Sequence, residues 1–546
     1  MAVRFDRYRA SLLNWRFMPG LLRSIPRTQV EIIIVMLVSA FAYLLVFKLP
    51  AVPFLMEGDH LIFLYDADRM LRGDAMYRDF FQFTFPGGQV VYYFLMLIFG
   101  ANYWLLSAVI VAIAAALAYL TLRISDLAIE GTASFLPAIV LIFFGFRIYG
   151  IDGSHRMMSP VFILLALLFV ARRITVAAVA ASGISCAAAS FFTQQRGIIA
   201  VAAIAVFLAV ESFSAGGPFR ELVKKEIVLA ATFIAGLGAL LAFFLYTAGP
   251  ETLYRSTIEY PALFYRFHEM NSYGVFWLDL AKTFDPATGS QVTAKLAAIF
   301  YSFIVPAVPV VFFAVYLLRR GRHGWPYWRV PMLLAIASAF LFLGTTAPSQ
   351  YRIYQVSAPS LILLFWLLAM WLKERPRFEL FAAAVVGGLL LLGAFQAVRM
   401  QTHWPHVEFD LPAGRVAAID GPVADRYQWL AQNTRPGDHF FELAEPFIYF
   451  PLQLRNPTRI PAVFMTELSP PEHIADVLNG LELHKPRYIL WENQYTRPPG
   501  QRASGDHTGP LSDYVNANYQ PVGEPYIVDG RETQIWERKP LVPQSR

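Results

Sequence analysis

The sequence predicts a polytopic α-helical membrane protein of about eleven transmembrane helices. A long first external loop carries juxtamembrane helices, and an external α/β domain closes the chain. Three observations lead there. Of the 546 residues, 56% are hydrophobic and 15% charged, whereas soluble domains stand near a quarter charged. Lys and Arg gather in short clusters at alternate ends of the apolar runs, as cytoplasmic connections do. Beyond residue 398 the chain turns to Pro, charge and aromatics in short alternating runs, the texture of a small α/β domain.

Residues 1–29 carry arginines at 4, 7, 9, 16, 23 and 27. They are too long and too basic for a cleaved signal and read as a cytoplasmic amphipathic arm on anionic lipid. A membrane-crossing helix takes about 17–25 mostly apolar residues. Candidates are 30–50, 101–122, 132–149, 158–171, 174–192, 197–212, 227–247, 294–318, 330–347, 357–372 and 378–397, within a transmembrane region of 30–398. With the N-terminus inside, Arg123, Arg172 and Arg173, Arg220 to Lys225, Arg319 to Arg329, and Lys373 to Arg377 all fall on the cytoplasmic side. The short run "GGQVVYYFLMLIFG" (87–100) cannot cross about 30 Å at 1.5 Å per residue and reads as interfacial or re-entrant.

The external connections are then 51–100, 149–157, 192–197, 248–293 and 347–356, with 399–546 on the same side. In that last part "RYILWEN" (487–493) and "TQIWERK" (533–539) read as strands, "RYQWLAQN" (426–433) and "EHIADVLNGLEL" (472–483) as helices. The surplus of six positive charges is accounted for by topology clusters and gives no sign of nucleic-acid binding. The single cysteine, Cys186, excludes an intrachain disulfide and a cysteine metal cluster.

Polar chemistry collects in the external connections. Asp59 and His60 precede a helix whose apolar positions 61, 64, 67, 70 and 71 leave Asp66, Asp68, Arg69 and Arg72 on a solvated face. At the membrane mouth Asp59 suits either a helix cap or a general base, and Glu57 is its rival. The second connection supplies Asp152, His155 and Arg156; His with Asp is a weak zinc signal without further His or Cys at defined spacing. Gln195 and Arg196 fall between two apolar runs, where an unpaired arginine is costly. Arg352 and Tyr354 sit at the outer end of a span. One such arginine reads as an interface anchor; several on one face look like a phosphate site. The aromatic-rich 248–293 reads chiefly as an aromatic belt.

Together these features resemble the GT-C class of membrane glycosyltransferases that use polyprenyl-phosphate-linked sugars, the group of the protein O-mannosyltransferases and the lipid A aminoarabinose transferases. The resemblance rests on Asp59, "MLRGDAMYRDFFQFTFPGG" and "LIFG" in the first loop, on the Asp152 loop, Gln195-Arg196-Gly197 and "QYRIYQVSAP", and on a C-terminal domain with "LELHKPRYILWEN". It implies a GT-C fold and transfer of a hexose or pentose from a lipid-phosphate donor to an envelope glycan, lipid or protein at the external face of the inner membrane. The same resemblance makes Asp59 the base, with Asp152 helping to position the acceptor. Arg196, Arg352 and, more weakly, Arg78 would neutralise the donor phosphate, with Glu57, His60, His155, Arg156, Gln195 and Tyr354 auxiliary. His60 stands where the family's first loop usually has a second acidic residue. Metal dependence varies within the class, so a divalent metal stays open and no other cofactor is implied. Two rivals remain: a transporter or flippase-like protein, which would carry ionisable groups at the bilayer midplane, and a non-catalytic envelope scaffold. No P-loop, dinucleotide fingerprint, Ser nucleophile elbow or HExxH is present.

Overall fold

The computed structural model describes residues 26–150, 152–268, 271–286, 291–372, 378–403, 405–464, 466, 468–496, 506–528 and 531–540. Most of the predicted arm and the basic cluster at 373–377 lie outside the described residues.

Long apolar runs without helix breakers become helices because lipid cannot satisfy exposed backbone groups. Among the described residues, eight are long and apolar enough to cross a membrane. They are α1 (Arg27–Val46), α4 (Trp104–Ala128), α6 (His155–Arg172), α8 (Gln194–Ser214), α9 (Phe219–Ala248), α11 (Val292–Arg319), α12 (Trp325–Leu343) and α15 (Phe378–Thr402). Three other expected spans appear as shorter apolar helices: α5 (Thr132–Phe146), α7 (Val176–Phe192) and α14 (Ala358–Leu372). Helix α7 packs against α6 and α9, and α14 against α11 and α12. The run at 87–100 forms α3 (Gly87–Phe99), about 20 Å long at 1.5 Å per residue. It exposes Phe94, Leu97, Ile98 and Phe99, the face an interfacial helix turns to lipid.

After α1 the chain makes two short paired strands, β1 (Phe47–Lys48) and β2 (Val52–Pro53), and then α2 (Asp59–Leu71). The C-terminal region opens with an antiparallel hairpin, β3 (His406–Leu411) and β4 (Gly414–Ile419). Leu55 N–H donates to the Ala417 carbonyl at 2.7 Å, joining the first connection to that hairpin. A four-stranded sheet follows in the order β5 (Phe440–Glu442), β6 (Tyr488–Glu492), β8 (Arg531–Arg538), β7 (Tyr519–Val528). Only β5 and β6 run parallel. Helices α16 (Pro422–Asn433), α17 (Pro471–His484) and α18 (Gly509–Asn518) accompany it, and Trp491, Val477, Leu481 and Val515 build its core. The elements foreseen at 426–433, 472–483, 487–493 and 533–539 all form.

Helix α2 departs from expectation. Asp66 and Asp68 are buried instead of solvated, because the helix is covered by α3 on one side and by residues 449–452 on the other, with Tyr65 stacked on Tyr449 at 4.8 Å. Gln82 and Gln89 both donate to one Asp66 oxygen, at 2.9 and 3.1 Å. Burial nevertheless pushes that carboxyl up to about 6. Among the described residues the buried Gln89 Oε1 atom has no donor. A raised pKa means that the folded chain holds this proton more tightly than the unfolded chain does. The stabilisation is complete below the ordinary carboxylate range and is lost as pH rises through about 6. Asp66→Asn is therefore expected to raise Tm at neutral pH and to flatten the dependence of Tm on pH up to that point, an effect of roughly 2–3 kcal/mol at most, read by thermal denaturation across pH.

Candidate active site

The site is built from the starts of α2, α6 and α8 and from α13 (Gln350–Gln355), with one wall from the C-terminal region. Gly58 precedes α2 at φ +154°, where an added Cβ would lie 2.9 Å from the His60 ring. Only glycine fits this turn, which sets Asp59 in the first helical turn. Asp59 is not a cap; its Oδ2 accepts from Arg156 Nη1.

Ser154, not a longer loop, begins α6. Its hydroxyl accepts from Arg156 N–H at 3.3 Å, so His155 and Arg156 belong to the first turn of the helix. Asp152, just before, accepts from Ser154 N–H at 2.8 Å through one oxygen and from the Tyr351 hydroxyl through the other. Arg196 lies in the first turn of α8. Gly197 beside it lets α8 approach α7 so closely that a Cβ would come 2.2 Å from the Cys186 carbonyl. Arg196 donates to the Arg156 carbonyl and to Gln355 Oε1. Arg352 donates to Asn271 Oδ1 at 2.9 Å. Burial pulls the Arg352 guanidinium below its ordinary value; Tyr265 opposes this, Arg156 adds to it and Asp59 opposes it. Guanidinium stays charged in proteins, so this half-buried group of like charges favours an anion among them.

The structure thus brings together Asp59, Asp152, Arg156, Arg196 and Arg352, each within electrostatic reach of others in the set. His155 lies beneath them, buried, its ring 4.9 Å from Phe63 and its Nδ1 without a partner among the described residues. Tyr354 is fully buried against Tyr149 and Tyr301. His60 binds the Met56 carbonyl at 2.9 Å through Nε2. Gln195 points to solvent, while its neighbour Gln194 donates to the Phe83 carbonyl at 2.9 Å. Arg78 does not join the group. Its side chain is 58% exposed and pairs with the adjacent Asp79.

The two rival carboxylates differ in setting. Glu57 is 17% exposed and pairs with Arg426, itself 5% exposed. Asp59 is 33% exposed, and it alone of the two bonds to an arginine of the cluster. Arg426 was legible in principle: on α16 it stands four residues before Leu430 and next to Tyr427, on the stripe that must be buried, and a buried arginine requires a carboxylate.

Glu445 was not foreseen. It follows the carboxyl end of β5, and Glu492 ends β6; the crevice outside the carboxyl ends of parallel strands is where α/β sheets take ligands. Glu445 feels the charges of Asp59 and Glu57 across the gap, and burial, eased by Arg531, pushes its carboxyl up to about 7.

Among the described residues no group of three or more His, Cys, Asp or Glu side chains converges as a metal site would. Asp59 and Asp152 each commit an oxygen to Arg156 and Tyr351.

No protein-family model matches the chain, and no curated protein sequence does. Its fold is shared with solved structures. ArnT from Cupriavidus metallidurans bound to undecaprenyl phosphate superposes with a TM-score of 0.54 at 12% identity, over 94% of this chain and 98% of that one. The oligosaccharyltransferase of Archaeoglobus fulgidus in complex with zinc and sulfate gives 0.53 at 13% identity, over 92% and 72%. ArnT in the apo state gives 0.50 at 12% identity, over 94% and 98%. The chain is a multi-pass membrane protein with the GT-C fold expected from the sequence.

Proposed function

We propose that the chain is a glycosyltransferase that moves a sugar from a polyprenyl-phosphate carrier to an acceptor at the face of the membrane where the C-terminal region lies, the external face by the positive-inside rule. The observation that carries this reading is the gathering of Arg156, Arg196 and Arg352 from three separate segments around two carboxylates. Three fixed cations at a membrane boundary suit a lipid phosphate, whose tail stays in the bilayer. That the ArnT neighbour is bound to undecaprenyl phosphate supports the same ligand class.

In the proposed reaction the acceptor oxygen or nitrogen attacks the anomeric carbon and the bond from that carbon to the phosphate oxygen breaks. Polyprenyl phosphate leaves with the electron pair, and Asp59 takes the acceptor proton. Arg156 pairs with Asp59 while the site waits. Donor phosphate competes for that guanidinium and frees the carboxylate at the moment it is needed. Asp152, fixed by Tyr351, positions the acceptor; Arg196 and Arg352 neutralise the departing phosphate. With one base and one displacement the anomeric centre inverts. These arginines supply the neutralisation that a divalent ion supplies elsewhere, and no metal step is invoked.

Thermal stabilisation by undecaprenyl phosphate, compared with undecaprenol, tests the phosphate site. The phosphate is expected to raise Tm and the alcohol not; equal shifts would sink the arginine assignment. Arg78→Ala, outside the cluster, is expected to leave transfer within about twofold of wild type, as surface ion pairs contribute little.

Glu445 adds a pH signature. When it loses its proton near pH 7, the site gains a negative charge that favours removal of the acceptor proton. The pH profile of transfer should therefore rise through about 7, and Glu445→Gln should remove that inflection while leaving a lower, flatter profile; an unchanged profile would remove Glu445 from the site.

A further inference from the structure

A cavity of about 350 Å³ opens between the first connection and the C-terminal region, beside Arg69 near the far end of α2 from Asp59. That volume is in the range of small-molecule sites. Arg69 and Asp79 face it from one side, Arg459, Asp476, Asn479 and His484 from the other. Its charges are paired: Arg69 Nε donates to Asp74 at 2.8 Å, Arg78 lies 2.8 Å from Asp79, and Arg459 lies 3.6 Å from Asp476. An anion would have to break one of these pairs, whereas a neutral polyhydroxylated molecule can bond to their remaining donor and acceptor edges. The Asn479 amide, exposed on α17, makes no hydrogen bond among the described residues and is available to such a ligand.

Packing contacts run from the cavity wall toward the active site. Arg459, on its wall, accepts at its carbonyl from Phe81 N–H at 2.9 Å. From Phe81 a file of rings leads to Tyr260 at 4.8 Å, Phe83 at 5.7 Å and Tyr265 at a further 4.8 Å. Tyr265 interacts with Arg352. Along α2, Asp59 and Arg69 are about 15 Å apart at 1.5 Å per residue, longer than one monosaccharide.

We propose that this cavity is a distal saccharide subsite, holding a neutral sugar unit of an oligosaccharide acceptor whose reacting end lies at Asp59. The proposal rests on the glycosyltransferase reading and deepens it by naming the acceptor as a glycan chain. Tryptophan at position 479 would fill the cavity from an exposed helix position that the fold does not need.

The test is saturation-transfer NMR on the full chain in detergent, with tetrasaccharides of glucose, mannose and galactose as probes beside the matching monosaccharides. At least one tetrasaccharide is expected to bind, its monosaccharide about tenfold or more weakly, with a similar loss in Asn479→Trp at unchanged Tm. Absence of tetrasaccharide binding, or equal binding by Asn479→Trp, overturns the subsite. The readout is binding and not turnover, so a wild type that transfers sugar yet binds no tetrasaccharide loses the subsite and keeps the enzyme.

Discussion

Asp59→Asn is expected to lower sugar transfer roughly 10²–10⁴-fold, the contribution of a positioned general base, while binding of the polyprenyl phosphate is kept. Asparagine preserves shape and can still accept from Arg156, so the fold around the start of α2 holds; what it cannot do is take the acceptor proton. The same change at Glu57 separates the rivals. Glu57→Gln leaves the buried Arg426 without its counter-charge, an uncompensated charge of the kind that costs about 3–5 kcal/mol, so the loss should appear in Tm before it appears in turnover. Transfer assays and thermal denaturation on both variants check this. If Glu57→Gln abolishes transfer with Tm intact while Asp59→Asn stays active, the base is Glu57.

Arg352→Ala is the second large effect. Removing one preorganised cation from a developing oxyanion typically costs about 10²–10³ in turnover. Here ground-state affinity for the lipid phosphate should also fall by about tenfold or more, as charged hydrogen bonds are worth roughly 1.5–3 kcal/mol. Arg352 reaches the site from a short helix and donates to Asn271 at 2.9 Å and to the Ala347 carbonyl at 3.4 Å, both outside the spans, so its removal leaves the spans intact. Lysine in its place keeps the charge and loses the planar fork. Arg352→Lys should therefore recover affinity more fully than turnover, a split that a merely structural arginine would not produce. Steady-state kinetics with lipid-binding titration reads both.

Much of this was legible in the sequence, for reasons that differ from element to element. The spans and the strands of the C-terminal region declare themselves through local pattern: long apolar runs, alternating runs, basic clusters. The short α3 was legible by length alone. The buried face of α2 was not, because the residues covering Asp66 and Asp68 come from α3 and from around Tyr449, far along the chain, and an acidic residue on a helix reads as solvated until its cover is known. Arg156 and His155 were taken as loop residues since Pro160 and the short polar stretch before it hide the Ser154 cap. Arg196 and Arg352 were identifiable because an arginine at the end of a span needs an anion or the headgroup layer. Arg78 satisfied the same sequence logic but finds its partner next door in Asp79. Glu445 lay beyond local reading: the burial that raises its carboxyl, and the nearness of Asp59 and Glu57, both come from tertiary packing.

The most direct test is to follow a radiolabelled sugar on polyprenyl phosphate with purified protein and a panel of glycan acceptors. The label is expected to leave the lipid in wild type and to remain there in Asp59→Asn, with free polyprenyl phosphate appearing in step with glycosylated acceptor. Label that stays on the lipid across the panel, in a folded protein that the phosphate carrier stabilises no more than its alcohol does, would contradict the account.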